Sequence, residues 1–359
     1  MRSMPTVALV SFRLGGTDGV SVEAAKWRWA MECLGMEVVT VAGEGPVDHL
    51  VPGLAMTAPE PPTTAELDAA LGAADLVVVE NVCSLPLNPP AAARLAAFLR
   101  GRPAVLHHHD LPWERPHLRH LAGPPDDPAW RHVTISRHAA RALARRGIEA
   151  ATVYNAFDLD PRPGRRRATR AALGVGETTR LLLQPTRALP RKNVPAALRL
   201  AEAIDATYWL LGPPEDGYGP ELDRLLARAR CQVVVGRHAL EPGGGPAGGN
   251  GHAGGIEDAY AASDLVVLPS TWEGFGNPSI EAAVHRRPLA VGPYPVAGEL
   301  AAFGFEWFAT GDHERIGRWL AAPDAGLLER NRAVAERWFN LADLPARLEA
   351  VFASVAVPR

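Results

Sequence analysis

Two glutamates eight positions apart, Glu273 and Glu281, frame the stretch Ser270-Thr271-Trp272-Glu273-Gly274-Phe275-Gly276-Asn277-Pro278-Ser279-Ile280-Glu281. The apolar run Leu265–Leu268 before it reads as a strand, the glycines as a turn, and Pro278 as the start of a helix with Glu281 in its first turn. Unpaired backbone N–H groups at such a helix start attract phosphate or sugar oxygens, and glycine lets a ligand approach the main chain closely. One carboxylate on the turn and one on the helix can accept hydrogen bonds from two different sets of hydroxyls. A ligand with a hexose at one end and a ribose at the other offers such sets. The plain alternative is two solvated carboxylates around a structural turn.

A second group lies in Gln184-Pro185-Thr186-Arg187-Ala188-Leu189-Pro190-Arg191-Lys192-Asn193. Arg187 and Lys192 on one loop can clamp a diphosphate, the guanidinium as a fork and the ammonium as a point charge. An isolated Arg-x4-Lys is more often a solvated basic turn, but Lys26 and Lys192 are the only lysines among 37 basic residues. Arg191 reads as a surface residue. The early turn Gly15-Gly16-Thr17-Asp18-Gly19 departs from the GxGxxG dinucleotide fingerprint and by itself signals only a tight turn. In Val105-Leu106-His107-His108-His109-Asp110, strand alternation puts His107 and His109 on one face and His108 on the other. Cys or acidic partners at zinc spacing are missing from this segment, so no metal site is expected.

The elements that must hold these residues follow from periodicity. Strand-like runs Thr6–Phe12, Glu37–Val41, Leu76–Val79, Ala104–His107, His132–Ile135 and Ala151–Tyr154 alternate with helical segments Val20–Leu34, Ala65–Ala73, Pro90–Arg100 and Arg137–Arg146. After a presumed linker, Asp158–Arg170, the pattern repeats. Strands are expected at Arg180–Gln184, Ala206–Leu211, Gln232–Val235, Leu265–Leu268 and Leu289–Val291, with helices at Val194–Ile204, Glu221–Ala229, Pro278–His285, Gly326–Phe339 and Leu344–Val351. Gly243–Gly255, rich in Gly, Ala and Pro, reads as a surface loop. Strands alternating with helices predict two doubly wound α/β domains with ligands at the carboxyl ends of the strands, in a cleft between them. The expected boundaries are 1–157, joined by a C-terminal helix at about 340–359, and 158–339.

Composition narrows the partners. The 359 residues are 47% hydrophobic and 21% charged, with a net charge of -3, so packed cores are affordable and a nucleic-acid partner is not expected. The one dense basic stretch, Arg162, Arg165–Arg167 and Arg170, falls in the presumed linker. Three cysteines at wide spacings suggest no disulfide framework and fit a reducing cytoplasm. No leader or membrane-spanning run is evident. Two tryptophans in Lys26-Trp27-Arg28-Trp29 give the only hint of a membrane-docking face and read more simply as packing residues, which favours a soluble, small-molecule acceptor.

The Glu273–Glu281 segment resembles the Glu-x7-Glu motif of glycosyltransferase family 4, whose GT-B fold sets two Rossmann-like domains across a central cleft. Weaker matches lie in chain order: Thr134-Ile135-Ser136, Val153-Tyr154-Asn155-Ala156-Phe157-Asp158, Gly212 and Ala259-Tyr260-Ala261-Ala262-Ser263-Asp264. The resemblance implies an N-terminal acceptor domain and a C-terminal domain for the nucleotide-sugar donor. It implies that Glu273 contacts the donor sugar, that Gly274, Phe275, Gly276, Asn277 and Pro278 present main chain to sugar and phosphate, and that Glu281 binds the ribose. Arg187 and Lys192 become the diphosphate ligands, Gly16 a point of close approach to the donor, and Thr17, Asp18 and Asp110 acceptor-side residues. His109 is the expected contact to the sugar's outer hydroxyl, although the His107–His109 repeat leaves the register open. The implied activity is a retaining, metal-independent hexosyltransferase using a UDP- or GDP-linked sugar as co-substrate, without a cofactor. The competing readings are a nucleotide-sugar epimerase, a glycoside phosphorylase and a non-catalytic sugar-nucleotide-binding protein.

Overall fold

The computed structural model describes residues 4–16, 18–115, 118–121, 123–237, 240 and 255–355. The chain forms two compact units, Met1–Ala156 with Leu341–Arg359, and Phe157–Asn340. The first is built on β1 (Thr6–Arg13), β2 (Glu37–Glu44), β3 (His49–Leu50), β4 (Leu76–Glu80), β5 (Ala104–His108), β6 (Trp130–Thr134) and β7 (Ala150–Thr152). These pair in the order β3-β2-β1-β4-β5-β6-β7, each pair parallel. Crossover helices α1 (Gly19–Cys33), α2 (Thr64–Leu71), α3 (Pro89–Leu99) and α4 (Arg137–Ala144) return the chain.

Alternation along the strands shows why both faces are covered. Val7 and Leu9 of β1, Leu76 and Val78 of β4 and Val105 of β5 join one core with Trp27 and Met31 of α1. Ala8, Val10 and Phe12, Val77 and Val79, and Ala104 and Leu106 join the opposite core with Leu67 of α2 and Leu95 of α3. A period of two with apolar residues at both parities is the mark of a buried parallel strand. The chain's final helix, Leu344–Phe352, adds Leu344, Leu348, Val351 and Phe352 to the α1 side of this sheet.

The second unit orders its strands β10-β9-β8-β11-β12-β13. These are β8 (Arg180–Gln184), β9 (Ala206–Leu210), β10 (Val233–Val235), β11 (Leu265–Leu268), β12 (Leu289–Val291) and β13 (Phe308–Ala309). Its helices are α5 (Arg166–Ala172), α6 (Val194–Ala203), α7 (Gly219–Leu226), α8 (Ile256–Ala262), α9 (Asn277–Val284), α10 (Pro295–Ala301), α11 (His313–Ala321) and α12 (Ala325–Trp338). Strand order reverses between β1 and β4 in the first sheet and between β8 and β11 in the second, and ligands of open α/β sheets bind at the carboxyl ends of the strands at such reversals. Among the described residues, no helix is long and apolar enough to cross a membrane.

The presumed linker is corrected. Its last part, from Arg166, forms α5, and Arg165, Arg166 and Arg170 tie that helix to α8 and to Asp264 just before β11, while Arg162 and Arg167 remain exposed. Arg165 donates to Asp258 at 2.7 Å and Arg166 to Asp264 at 2.6 Å. Arg170 is fully buried, donating to Ala262 O at 2.7 Å, Asp264 Oδ2 at 3.2 Å, and the carbonyls of Gly176 and Thr179. Periodicity overlooked α5 because its buried side is polar. Residues 243–254 of the expected loop lie outside the described residues, and Gly255 caps α8.

Removing one partner from a buried charge leaves the others unpaired. Arg170→Ala is expected to cost about 3–5 kcal/mol, read as a lowered midpoint in urea or heat. An unchanged melt would show that Arg170 contributes nothing to holding α5.

Candidate active site

In the second unit, the loops that leave β8 and β11 are neighbours because those strands pair side by side. The first loop passes through a short turn, Pro190–Lys192, and then Asn193 with φ 51°, a left-handed conformation that Asn tolerates better than most residues. Its side chain donates to Pro269 O at 3.2 Å, and Thr271 N–H donates to Arg191 O at 2.9 Å. These bonds fix the two loops together and bring Lys192 Nζ to 2.5 Å from Glu273 Oε1. Arg191 completes the group, donating to Glu273 Oε2 at 3.1 Å and to Trp272 O at 3.0 Å. Arg191 is thus no idle surface residue: it holds the second oxygen of the carboxylate.

Burial alone would raise Glu273, but the Lys192 and Arg191 cations outweigh it and keep the carboxyl below its ordinary range. Burial pulls the Lys192 ammonium below its usual value, with Glu273 opposing. Arg187 lies on the same loop and pairs with Glu215 at 2.5 Å, half exposed. Gly212 explains how this loop packs: a Cβ there would meet Arg187 Cα at 2.6 Å.

The turn after β11 ends at Gly276, whose φ of 99° suits glycine and caps α9. Asn277 opens the helix and Pro278 lies in its first turn, so Glu281 sits in the second turn, one later than expected. Phe275 is buried against Phe157 and Phe339, while Gly274 stays partly exposed. A residue that the sequence reading gave no role, Tyr260 of α8, donates its hydroxyl to Glu281 Oε2 at 2.5 Å and stacks on His285 at 4.7 Å. The ring orients the carboxylate that the resemblance assigns to ribose. Tyr260 and Glu281 are 21 positions apart, so only the fold, which brings the Tyr260 ring to α9, could disclose the pair.

In the first unit, β4 and β5 are paired in register with Glu80 opposite His107. Glu80 Oε2 accepts from His107 Nδ1 at 2.9 Å and from His109 Nε2 at 2.6 Å. His108, on the other face as alternation requires, meets Ser84 Oγ at 2.5 Å and His132 Nδ1 at 2.9 Å. The expectation that no acidic partner serves these histidines is corrected, because Glu80 comes from the neighbouring strand. The three ligand-type atoms lie within 4.8 Å of one another. At 2.6 and 2.9 Å from Glu80 Oε2 the two ring nitrogens form a hydrogen-bonded clamp with it, on a set of atoms that could also hold a metal ion.

The remaining first-unit candidates have local roles. Asp18 caps α1, accepting from Ser21 N at 3.2 Å, Ser21 Oγ at 2.8 Å and Arg13 Nε at 3.1 Å. A Cβ on Gly16 would approach Asp18 Oδ2 at 3.0 Å. Asp110 stands 3.6 Å from Arg115, and its N–H donates to Asn81 Oδ1. Thr17 lies outside the described residues. Trp27 packs inside the core, as its sequence setting favoured, whereas Trp29 is exposed, which corrects the packing reading for that residue.

No family model matches the chain. It is 26% identical to the mannosylglucosylglycerate synthase of Thermotoga maritima, over 98% of this chain and 100% of that protein. The same enzyme of Petrotoga mobilis is 23% identical over 85% of this chain and 86% of its own length. Among solved structures, the Anabaena protein HepE in complex with UDP-glucose superposes with a TM-score of 0.68 at 18% identity, covering 97% of this chain and 99% of that one. The fold is GT-B, and the chain is a glycosyltransferase. Its resemblance to family 4 is carried by the Glu273–Glu281 segment, and the likeness to the Thermotoga maritima enzyme extends along nearly the whole chain.

The Gly276 turn generates a direct test. A Cβ at Gly276 would sit 2.2 Å from Tyr294 Oη, on a backbone that L-residues rarely adopt. Gly276→Ala is expected to displace the turn, lower stability by about 1–3 kcal/mol and weaken nucleotide binding, both readable in one thermal-shift titration. Wild-type binding in a stable variant would remove this turn from the ligand site.

Proposed function

We propose that this glycosyltransferase moves a hexose from a UDP- or GDP-linked donor to a small soluble acceptor, with retention of configuration and without an essential metal. The observation that carries this reading is the buried Lys192–Glu273–Arg191 group beside the Gly276 turn, at the strand reversal of the second sheet. A cation fixed at a carboxyl edge of parallel strands stabilises charge that grows on a leaving diphosphate more than it stabilises the bound donor. Arg187 and Lys192 take that charge, Glu273 and the main chain of residues 274–278 hold the sugar and phosphates, and Glu281 holds the ribose. His109 meets the sugar, and Gly16, Thr17, Asp18 and Asp110 belong to the donor-facing and acceptor sides.

Retention follows from a front-face displacement in which a donor phosphate oxygen removes the acceptor's proton as the glycosidic bond breaks. The relatives' name describes making a glycoside of glycerate, a small polar product, which supports a soluble acceptor over a membrane lipid. A reducing cytoplasm is the proposed setting, in keeping with three widely spaced cysteines.

Lys192→Ala is expected to lower kcat by about 10²–10³-fold with a smaller change in donor KM, by analogy with losing one preorganised electrostatic contact. Lys192→Arg restores part of the rate, because a planar fork cannot take the place of a compact ammonium on this loop. Near-normal kcat in folded Lys192→Ala would move the diphosphate site elsewhere. Transfer is also expected to continue in EDTA. Complete loss with chelator, reversed by Mn2+, would overturn the metal-free reading.

A further inference from the structure

Glu80 is fully buried, as are His107 and His108, and His109 nearly so. A carboxylate removed from water is costly unless its lone pairs are met, and here one oxygen, Oε2, meets two ring N–H groups while Oε1 has no partner among the described residues. The rings are held from the side as well: Trp27 of α1 stacks on His107 at 4.0 Å, and His107 lies against His109 at 4.2 Å. From α1, Glu23 adds a second buried carboxylate, paired with Lys26 at 2.6 Å through Oε1. Buried ion groups of this kind are seldom better for stability than apolar residues of the same volume. Their place, where β4 and β5 end beside the strand reversal of the first sheet, argues for a task.

The geometry points to Glu80 as a positioning residue of the transfer reaction: by accepting from Nε2 of His109 and Nδ1 of His107, it turns the His109 ring so that Nδ1 is the nitrogen left to meet substrate. This rests on the reading of His109 as the sugar contact. Nε2 is committed to Glu80, and no other hydrogen bond reaches the His109 ring among the described residues. The His109 N–H bond to Asn81 Oδ1, at 3.1 Å, fixes the backbone behind the ring. Glu80 thus sets both the orientation and the tautomer of His109, and the ring is a donor at Nδ1 only when it is an imidazolium.

The charges around the ring favour that form. Burial alone would lower His109, but the hydrogen bond to Glu80 and the carboxylates of Glu80, Glu23 and Asp110 outweigh it and hold the ring above its ordinary value. The Glu80 carboxyl is held well below its own ordinary value by His107 and His109, against burial. Other charged or titratable neighbours are His107 and His108 on β5 and Lys26, which neutralises part of Glu23. A raised histidine keeps its proton to higher pH, so transfer falls as pH rises through the His109 titration. Glu80→Gln keeps an acceptor and removes the charge, which moves that alkaline limb to lower pH.

The test uses the full chain and three measurements on wild type, Glu80→Gln and Glu80→Asp. These are kcat and donor KM with the best sugar nucleotide of a UDP/GDP panel, the pH profile of kcat, and 15N imidazole spectra with the His109 signal assigned by its loss in His109→Gln. Glu80→Gln is expected to lower kcat by about 10–100-fold with donor KM little changed, and to drop the His109 midpoint by about one unit or more. Glu80→Asp, which keeps the charge at shorter reach, recovers part of both. An unchanged His109 titration and tautomer, or a lower kcat with an unmoved alkaline limb, overturns the proposal. Should Glu80→Gln fail to fold, Glu80→Asp with the imidazole spectra decides by the same criteria. Wild type that transfers no sugar from any donor in the panel overturns the functional reading instead, and a spectral hold of Glu80 on His109 in that protein would then belong to another chemistry.

Discussion

Parallel strands can follow one another only through a crossover, so the loops that leave their carboxyl ends gather along one edge of each sheet. Both candidate groups in this chain depend on that constraint. In the second unit it sets the β8 and β11 loops side by side, so that Lys192 and Glu273, 81 residues apart, meet at 2.5 Å. In the first unit it sets the end of β4 beside the end of β5, so that Glu80 meets two histidines. The sheets are apolar scaffolds, and both charged groups lie where the strands stop.

Both sites show how the chain manages charge away from water. Its two lysines each pair with a buried glutamate, Lys26 with Glu23 and Lys192 with Glu273, while arginine serves nearly everywhere else. A compact ammonium fits where a fork would displace the loop, whereas forks suit α5, where Arg166 and Arg170 each reach several acceptors and Arg165, at its N-cap, grips one oxygen of Asp258 with two nitrogens. Neither choice adds much net stability, since desolvation offsets most of the Coulomb gain. What the pairs provide is fixed geometry, for the β8 and β11 loops at Lys192 and Glu273 and for the seating of α5 at Arg166 and Arg170.

What could be read from the sequence was what local pattern determines. β8, β11 and β12 were legible as apolar runs, and the Gly276 turn as glycines between a strand and a proline-initiated helix. The sides of His107, His108 and His109 followed from alternation alone. The rest depended on residues far apart in the chain. Glu80 could be matched to His107 only by knowing the β4/β5 register, and Arg170 looked like linker because its partner, Asp264, lies 94 positions away. Arg191 was set aside because nothing local shows it reaching Glu273, and Tyr260 because its role is set by a contact with Glu281, 21 positions away. Short helices such as α10 and α11 escaped notice because proline, glycine and charged residues interrupt their apolar spacing.

The final helix carries a consequence for how the protein is made. Leu344, Leu348, Val351 and Phe352 share one core with Val7, Leu9 and Trp27, so the first unit lacks a wall until the end of the sequence has been synthesised. Synthesis runs from the N-terminus, and domains usually fold in that order as the chain emerges. Here the order is interrupted: residues 157–340, the whole of the second unit, are synthesised between the two parts of the first, whose apolar face is covered only by a helix made after them. The core on the α1 side of the first sheet is therefore completed only after the second unit has been made.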